Sequence, residues 1–271
     1  MIVDYHLHLR DPAERIEHTV SAVERFVETA IARGVDEIGF TEHVYYFAQT
    51  REIWDLPYQT ERCVYDLDAY CDVVLAAKRR GLPVKLALEV DFVGERQERL
   101  SELLAPYPWD YLLGSVHWVD GEAVDEEPGL WQTNTVEDGW RRYSAALIAL
   151  ATSGAVDVLA HPDLAKIFGL RPAPPLVAEL HEQIALAVAV SGVAIEVSTA
   201  GLRKPVGELY PDPELLHACV RLGVPVTIAS DAHVPDLVGY EFPRALELAR
   251  DVGCRTVAVF ESRFARQEPL G

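Results

Sequence analysis

The chain alternates short apolar runs with longer stretches in which apolar residues recur every three or four positions. Strand side chains alternate faces every second residue, whereas helix faces repeat about every 3.6, so the two patterns separate. Residues 2–6 form the first apolar run. Val20, Val23, Val27, Ala30 and Ile31 then fall at helical spacing in a helix from about 19 to 33, stopped by Gly34. A second strand pattern covers 36–41. Residues 44–64 are aromatic and irregular, a long loop read as a site loop and candidate lid. Helix patterns at about 66–80, 96–104, 135–153, 176–191, 212–222 and 242–252 alternate with strand patterns at 84–88, 111–116, 156–160, 193–198, 224–230 and, shortest, 256–260. The strands are nearly continuously apolar, as in a parallel sheet covered on both faces, and eight such units fit a barrel better than an open sheet. With no Gly/Ser-rich or Pro-rich linker to divide it, the chain reads as one domain over 1–271.

The polar residues fall at one end of these strands. Of nine histidines, six (His6, His8, His43, His117, His161 and His233) lie at or just beyond the carboxyl end of a strand pattern, joined there by Glu89 and Asp231. His6-Leu7-His8 sets two imidazoles on one side of an extended backbone. In a parallel barrel the carboxyl ends share one face, where active sites are built. Imidazole and carboxylate without thiolate suit zinc, manganese or iron, and the ligand number exceeds what one ion holds, so two or three ions are expected. Such a cluster lowers the pKa of a bound water and grips the oxygens of the group under attack, which makes hydrolysis the reaction class. His18, His181 and His217 lie in or beside helix patterns and read as surface or packing histidines.

Composition narrows the partners. A net charge of −19 argues against a broad phosphate-backbone surface, so nucleic acid is not expected. No run of about 18 apolar residues occurs, and a strand pattern starts at once without a basic and apolar leader; the expectation is a soluble, cytoplasmic protein without membrane contact. Cys63, Cys71, Cys219 and Cys254 show no paired spacing and read as reduced, buried thiols. Only four of the 24 basic residues are lysines, and Lys166 and Lys204 follow strands near the proposed mouth. Arg203 beside Lys204 is the best candidate clamp for an anionic small substrate, since a guanidinium donates two parallel hydrogen bonds to phosphate.

The segments Asp4-Tyr5-His6-Leu7-His8, Thr41-Glu42-His43, Glu89-Val90-Asp91-Phe92, Gly114-Ser115-Val116-His117, Ala160-His161-Pro162-Asp163 and Ser230-Asp231-Ala232-His233 resemble, in order and spacing, the motifs of the PHP (polymerase and histidinol phosphatase) superfamily. The segment 198–205, Ser-Thr-Ala-Gly-Leu-Arg-Lys-Pro, resembles its histidinol-phosphatase branch. The resemblance implies a distorted (β/α)7 TIM-like barrel with a trinuclear metal centre at the carboxyl ends of its strands, which would put the short last strand outside the barrel. It implies a first ion on His6, His8, Glu89 and Asp231, a second sharing Glu89 with His117 and His161, and a third on His43 and His233. Similar members carry a further ligand about six residues after the second histidine of the opening motif; Glu14 stands there, with Asp11 and His18 as rivals. The implied activity is metal-dependent hydrolysis of a small phosphomonoester, L-histidinol phosphate of histidine biosynthesis, with Arg203, Lys204 and Lys166 on the substrate and Asp231 or His233 protonating the leaving alkoxide. The rivals are another small phosphate ester or nucleic-acid ends as substrate, or a non-catalytic metal-binding regulatory subunit. Oligomeric state is left open.

Overall fold

The computed structural model describes residues 1–11, 13–126 and 129–271. The strands in chain order are β1 (Val3–Leu7), β2 (Glu37–Phe40), β3 (Val84–Asp91), β4 (Tyr111–Ser115), a short antiparallel hairpin of β5 (Trp118–Val119) and β6 (Glu122–Ala123), then β7 (Val158–Leu159), β8 (Ala194–Ser198) and β9 (Val226–Ala229). Apart from the hairpin they form one parallel sheet in the order β1-β2-β3-β4-β7-β8-β9. The His8 N–H donates to Ala232 O (2.9 Å) and the Ala232 N–H to His6 O (3.2 Å), so the sheet curls back on itself as a nearly closed seven-stranded barrel. β1, β3, β4, β8 and β9 are buried along their whole length, which is why their sequences are apolar on both faces.

The eighth strand pattern lies outside this barrel. β10 (Thr256–Glu261) pairs antiparallel with β11 (Phe264–Pro269), and Phe260 packs against Tyr5 and Tyr111 at ring-centroid distances of 6.2 and 5.4 Å. β10 therefore closes the amino-terminal end of the barrel, whereas β11 is mostly exposed and carries no apolar pattern to announce it. Tyr111 crosses this floor to donate from its hydroxyl to Tyr5 O (2.7 Å). It passes over Gly39, where a Cβ would lie 1.8 Å from the Tyr111 oxygen, so only glycine fits β2 at that point.

Helix starts follow the capping chemistry. Thr19 accepts from the Ala22 N–H (3.1 Å) ahead of helix Val20–Ala32, which buries Ala22, Val23, Phe26, Val27 and Ala30 against the barrel. Asp66 and Thr135 cap helices Leu67–Arg79 and Val136–Thr152 in the same way. The aromatic segment packs as a wall. Short 3-10 turns Val44–Tyr46 and Ala48–Ile53 and the helix Pro57–Thr60 bury Tyr45, Tyr46, Phe47 and Trp54, and the Trp54 Nε1–H donates to Thr50 Oγ1 (2.9 Å). All four cysteines are free and buried, and among the described residues no helix is long and apolar enough to cross a membrane.

Candidate metal centre

The alternation within β1 and the parallel register decide what meets at the mouth. His6 lies in β1 and His8 follows it; Glu89 and Asp91, two apart in β3, project to the same side. The segment after β2 runs beside β3, and His43 pairs with Glu89 across it. His117, His161 and Asp231 each follow a barrel strand by two residues. His161 and Asp231 adopt left-handed backbone (φ 24° and 52°), a conformation that costs non-glycine residues about 1 to 3 kcal/mol and recurs where function fixes a side chain.

The carboxylate of Glu89 is wholly buried and lies at the centre. Its oxygens are 2.6 Å from His43 Nδ1, 3.5 Å from His6 Nε2, 3.7 Å from His8 Nε2, 3.5 Å from His117 Nε2 and 3.3 Å from His161 Nε2. Asp231 lies 3.4 Å from His8 Nε2 and 3.6 Å from His6 Nε2. Among the described residues, four overlapping groups have donor atoms within 4.8 Å of one another: His6, His8 and Asp231; His6, Glu89 and His161; His43, Asp91 and His117; His8, His43 and His233. The first holds His6, His8 and Asp231 of the set implied for the first ion, without Glu89. The others redistribute the expected ligands, and Asp91 enters one of them through its contact with His117 Nδ1.

These residues fit divalent ions. Among the described residues, His6 Nε2, His8 Nε2, His43 Nδ1 and Glu89 Oε2 are buried without a hydrogen bond of proper geometry, the 2.6 Å approach of His43 to Glu89 included, at a cost that a cation removes. Burial pushes the Glu89 carboxyl up, but His43, His6 and His117 outweigh it and hold the group well below the usual range. Asp231 is held down likewise, by His6 and His8. An outer layer orients the rings. His6 Nδ1 contacts Glu196 (3.0 Å), His117 Nδ1 contacts Asp91 (2.7 Å), and Glu42 lies 3.7 Å from His8 Nδ1. Each leaves the opposite nitrogen facing inward, the usual role of a carboxylate behind a ligating imidazole. Glu196 and Glu42 were missed in the sequence, although a lone charge inside the apolar run 193–198 was the available signal.

Five residues singled out in the sequence sit elsewhere. Glu14 is exposed at the tip of a tight loop, because Asp11 turns its carboxylate back onto the N–H groups of Ala13 and Arg15 (2.9 Å each). That use also occupies Asp11. His18 stands behind Glu42 (3.7 Å), stacked on Phe47, so none of the three joins the four groups. Lys166 is wholly buried, ion-paired to Asp163 (2.9 Å) and donating to Leu209 O (2.8 Å), and does not reach the mouth. Arg203 donates from Nη2 to the carbonyls of Ser230 (2.8 Å) and Asp231 (3.0 Å), which fixes the segment carrying Asp231 rather than presenting a free fork. Lys204 does border the cavity, a space of about 250 Å³ lined also by His43, Glu89, His117, His161, Asp231 and His233. A second cation there, Arg10, was not anticipated, although it continues the alternation His6, His8, Arg10.

Comparison with known proteins agrees with this architecture. A PHP domain model matches residues 4–200. A probable histidinol-phosphatase of Deinococcus radiodurans is 33% identical, covering 94% of this chain and 95% of its own, and one of Schizosaccharomyces pombe is 25% identical over 90% and 85%. Histidinol phosphate phosphatase of Lactococcus lactis, solved with zinc, L-histidinol and phosphate, superposes with a TM-score of 0.77 at 22% identity, covering 98% of each chain. The seven-stranded barrel is thus the fold of that enzyme, and the chain belongs to the PHP domain family.

Proposed function

We propose that residues 1–271 act as one cytoplasmic domain that hydrolyses L-histidinol phosphate to L-histidinol and phosphate, using two to three divalent transition-metal ions. One observation carries the reading: buried, unpartnered imidazole and carboxylate atoms converge on Glu89 at the mouth of a PHP-family barrel. His6, His8, Glu89 and Asp231 would hold one ion, Glu89 with His117 and His161 another, and His43 with His233 and His8 the third position. When bound, zinc, manganese or iron supplies an acidified water and positive charge for the phosphoryl oxygens. Glu196 and Asp91 keep His6 and His117 in the tautomer that offers Nε2. Arg203 positions Asp231 through the two carbonyls it binds. Asp231 and His233, both bordering the cavity, are the candidates to return a proton to the leaving alkoxide.

The cavity's charges suit the substrate. Arg10 and Lys204 offer positive charge to a phosphate, and Asp125 and Glu126 border the same space with negative charge. A molecule with a phosphate at one end and an amine and imidazole at the other matches both. Tyr45, Tyr58 and Trp118, with ring centroids 5.3 to 6.0 Å apart, supply the apolar wall. Steady-state kinetics on L-histidinol phosphate beside simple alkyl and aryl phosphates, before and after chelation, tests the proposal. The expected result is a chelator-sensitive preference for L-histidinol phosphate; equal turnover of the whole panel would remove the substrate assignment.

A further inference from the structure

The four ligand groups differ in charge. Three include a carboxylate (Glu89, Asp231 or Asp91); the group of His8, His43 and His233 has none of its own and only borrows Glu89 and Asp231 from the neighbouring groups, at 2.6 Å from His43 Nδ1 and 3.5 Å from His233 Nδ1. On that side the cavity is bordered by Arg10. Its Nη2 donates to the Tyr46 hydroxyl (2.7 Å), its Nε is buried without a partner, and among the described residues it has no carboxylate within ion-pair distance. Surface arginines in this chain are commonly paired, as Arg15 is with Asp11 and Arg142 with Asp120. A half-buried, unpaired guanidinium beside a polar cavity is what an anion would complete.

The local fold holds it there. Leu9 N–H donates to Glu42 (2.5 Å), Glu17 N–H donates to Leu9 O (2.8 Å), and Arg10 bridges to Ile16 across the loop that Asp11 organises. Tyr46 is buried, and its ring meets that of His43 edge-on at 5.2 Å. The guanidinium is thus tied through one aromatic ring to the imidazole it neighbours.

We propose that Arg10 contacts the phosphoryl group directly and supplies the fixed positive charge on the His8, His43 and His233 side of the site, with Tyr46 as its positioning residue. The inference rests on the phosphate-ester reading above. Arg203 also keeps one buried nitrogen unpartnered, Nη1, but Arg10 lines the cavity and Arg203 does not, which makes Arg10 the guanidinium placed to meet the substrate.

The test uses the metal-loaded full chain and two probes, inorganic phosphate by calorimetry and L-histidinol phosphate by kinetics, with metal content measured on the same samples. Arg10→Ala should keep its metal content and bind phosphate roughly 10-fold to 100-fold more weakly, the effect of losing a charge-assisted hydrogen bond. Arg10→Lys should recover part of this, and Tyr46→Phe, which leaves the charge but frees the side chain, should fall between. Unchanged phosphate affinity in Arg10→Ala overturns the proposal. So does loss of metal in both Arg10→Ala and Arg10→Lys, which would make the residue structural. If the wild type ignores L-histidinol phosphate but binds phosphate in an Arg10-dependent way, the substrate assignment fails and Arg10 stands. If the wild type binds no phosphate, both fail.

Discussion

The two ends of the barrel are built from the same strands by opposite rules. At the floor, Tyr5, Tyr111 and Phe260 pack ring against ring with centroids 5.0 to 6.2 Å apart, and the neighbouring polar groups are paired. Lys78 reaches both oxygens of Asp110 (2.7 and 2.9 Å), Asp110 also accepts from the Leu86 N–H, and Lys85 meets Glu261 (2.5 Å). At the mouth, a few residues along the same strands, imidazoles and carboxylates are equally buried, but among the described residues several of their inward-facing atoms lack a hydrogen bond, and two residues are held in left-handed backbone. Satisfied polar groups and close packing make one end a source of stability. The other end holds its ligands in a costly arrangement that a cation relieves, so the floor must stabilise what the mouth destabilises.

That contrast predicts a separation of effects. The largest should come from Glu89→Ala, because one buried carboxylate faces five imidazoles. Hydrolysis should fall by on the order of 1000-fold or more, with loss of bound metal, since both Lewis acid and activated water depend on it. The apo-protein's melting temperature should change far less than its activity. Retention of full metal content and activity, read by elemental analysis and kinetics, would refute the arrangement around Glu89.

At the floor the order reverses. Phe260→Ala removes a buried ring and should cost about 3 to 5 kcal/mol of folding stability, measurable by denaturant titration. Its folded fraction should hydrolyse substrate with unchanged kcat/KM. A fall in kcat/KM at constant folded fraction would mean the ends are coupled and the division drawn here too sharp.

A smaller effect should follow from the outer layer. Asp91→Asn and Glu196→Gln keep the size of each side chain but remove the charge behind His117 and His6, and metal affinity should fall about 10-fold to 100-fold. Competition against a chromogenic chelator gives that number, and wild-type affinity in both variants would assign the two carboxylates to packing alone.

The sequence discloses these two ends unequally. Near-continuous apolar runs and polar residues at their carboxyl ends foretell the barrel and which histidines gather, because strand direction in a parallel sheet sends every such residue to one face. The floor is legible only through the family resemblance, which puts the last strand outside the barrel: the pattern in 256–260 does not itself distinguish a barrel strand from a plug, and exposed β11 has no periodicity to read. The errors at the mouth share another cause. Glu14 and Lys166 have the right residue types near the right place, yet Asp11 folds its loop so that Glu14 points outward, and Asp163 draws Lys166 into the interior. Such local partners are a matter of side-chain geometry that spacing does not encode. Arg10 shows the opposite case, since its place in the alternation with His6 and His8 is legible, but the alternation is read for metal ligands and the cations are sought among residues after later strands.

The mildest prediction concerns protons and separates two imidazoles within the mouth itself. Burial lowers both His117 and His43. For His117, Asp91 and Glu89 outweigh burial and raise the group to about 10, so without metal it is protonated at neutral pH. For His43, burial and the charges of His8 and His117 prevail over Glu89, and its value falls to about 4, leaving it neutral. A ligating imidazole must be neutral, so metal uptake expels the proton of His117 and takes none from His43. The sign follows: below pH 10 metal affinity should rise with pH, by about tenfold per unit for each proton displaced. His6, raised well above its ordinary value with Glu196 as the foremost charge opposing burial, should add to the protons released, and His8, raised by Asp231 and Glu42 against burial, acts in the same direction. Calorimetry of zinc binding near pH 7 in buffers of different ionisation enthalpy counts these protons. Asp91→Asn should remove one of them and flatten the pH dependence, whereas His43→Gln should leave the count unchanged even as it weakens binding. Metal uptake without proton release at pH 7 would show that the carboxylates behind His117 and His6 do not hold those rings charged, and would remove the electrostatic distinction between them and His43.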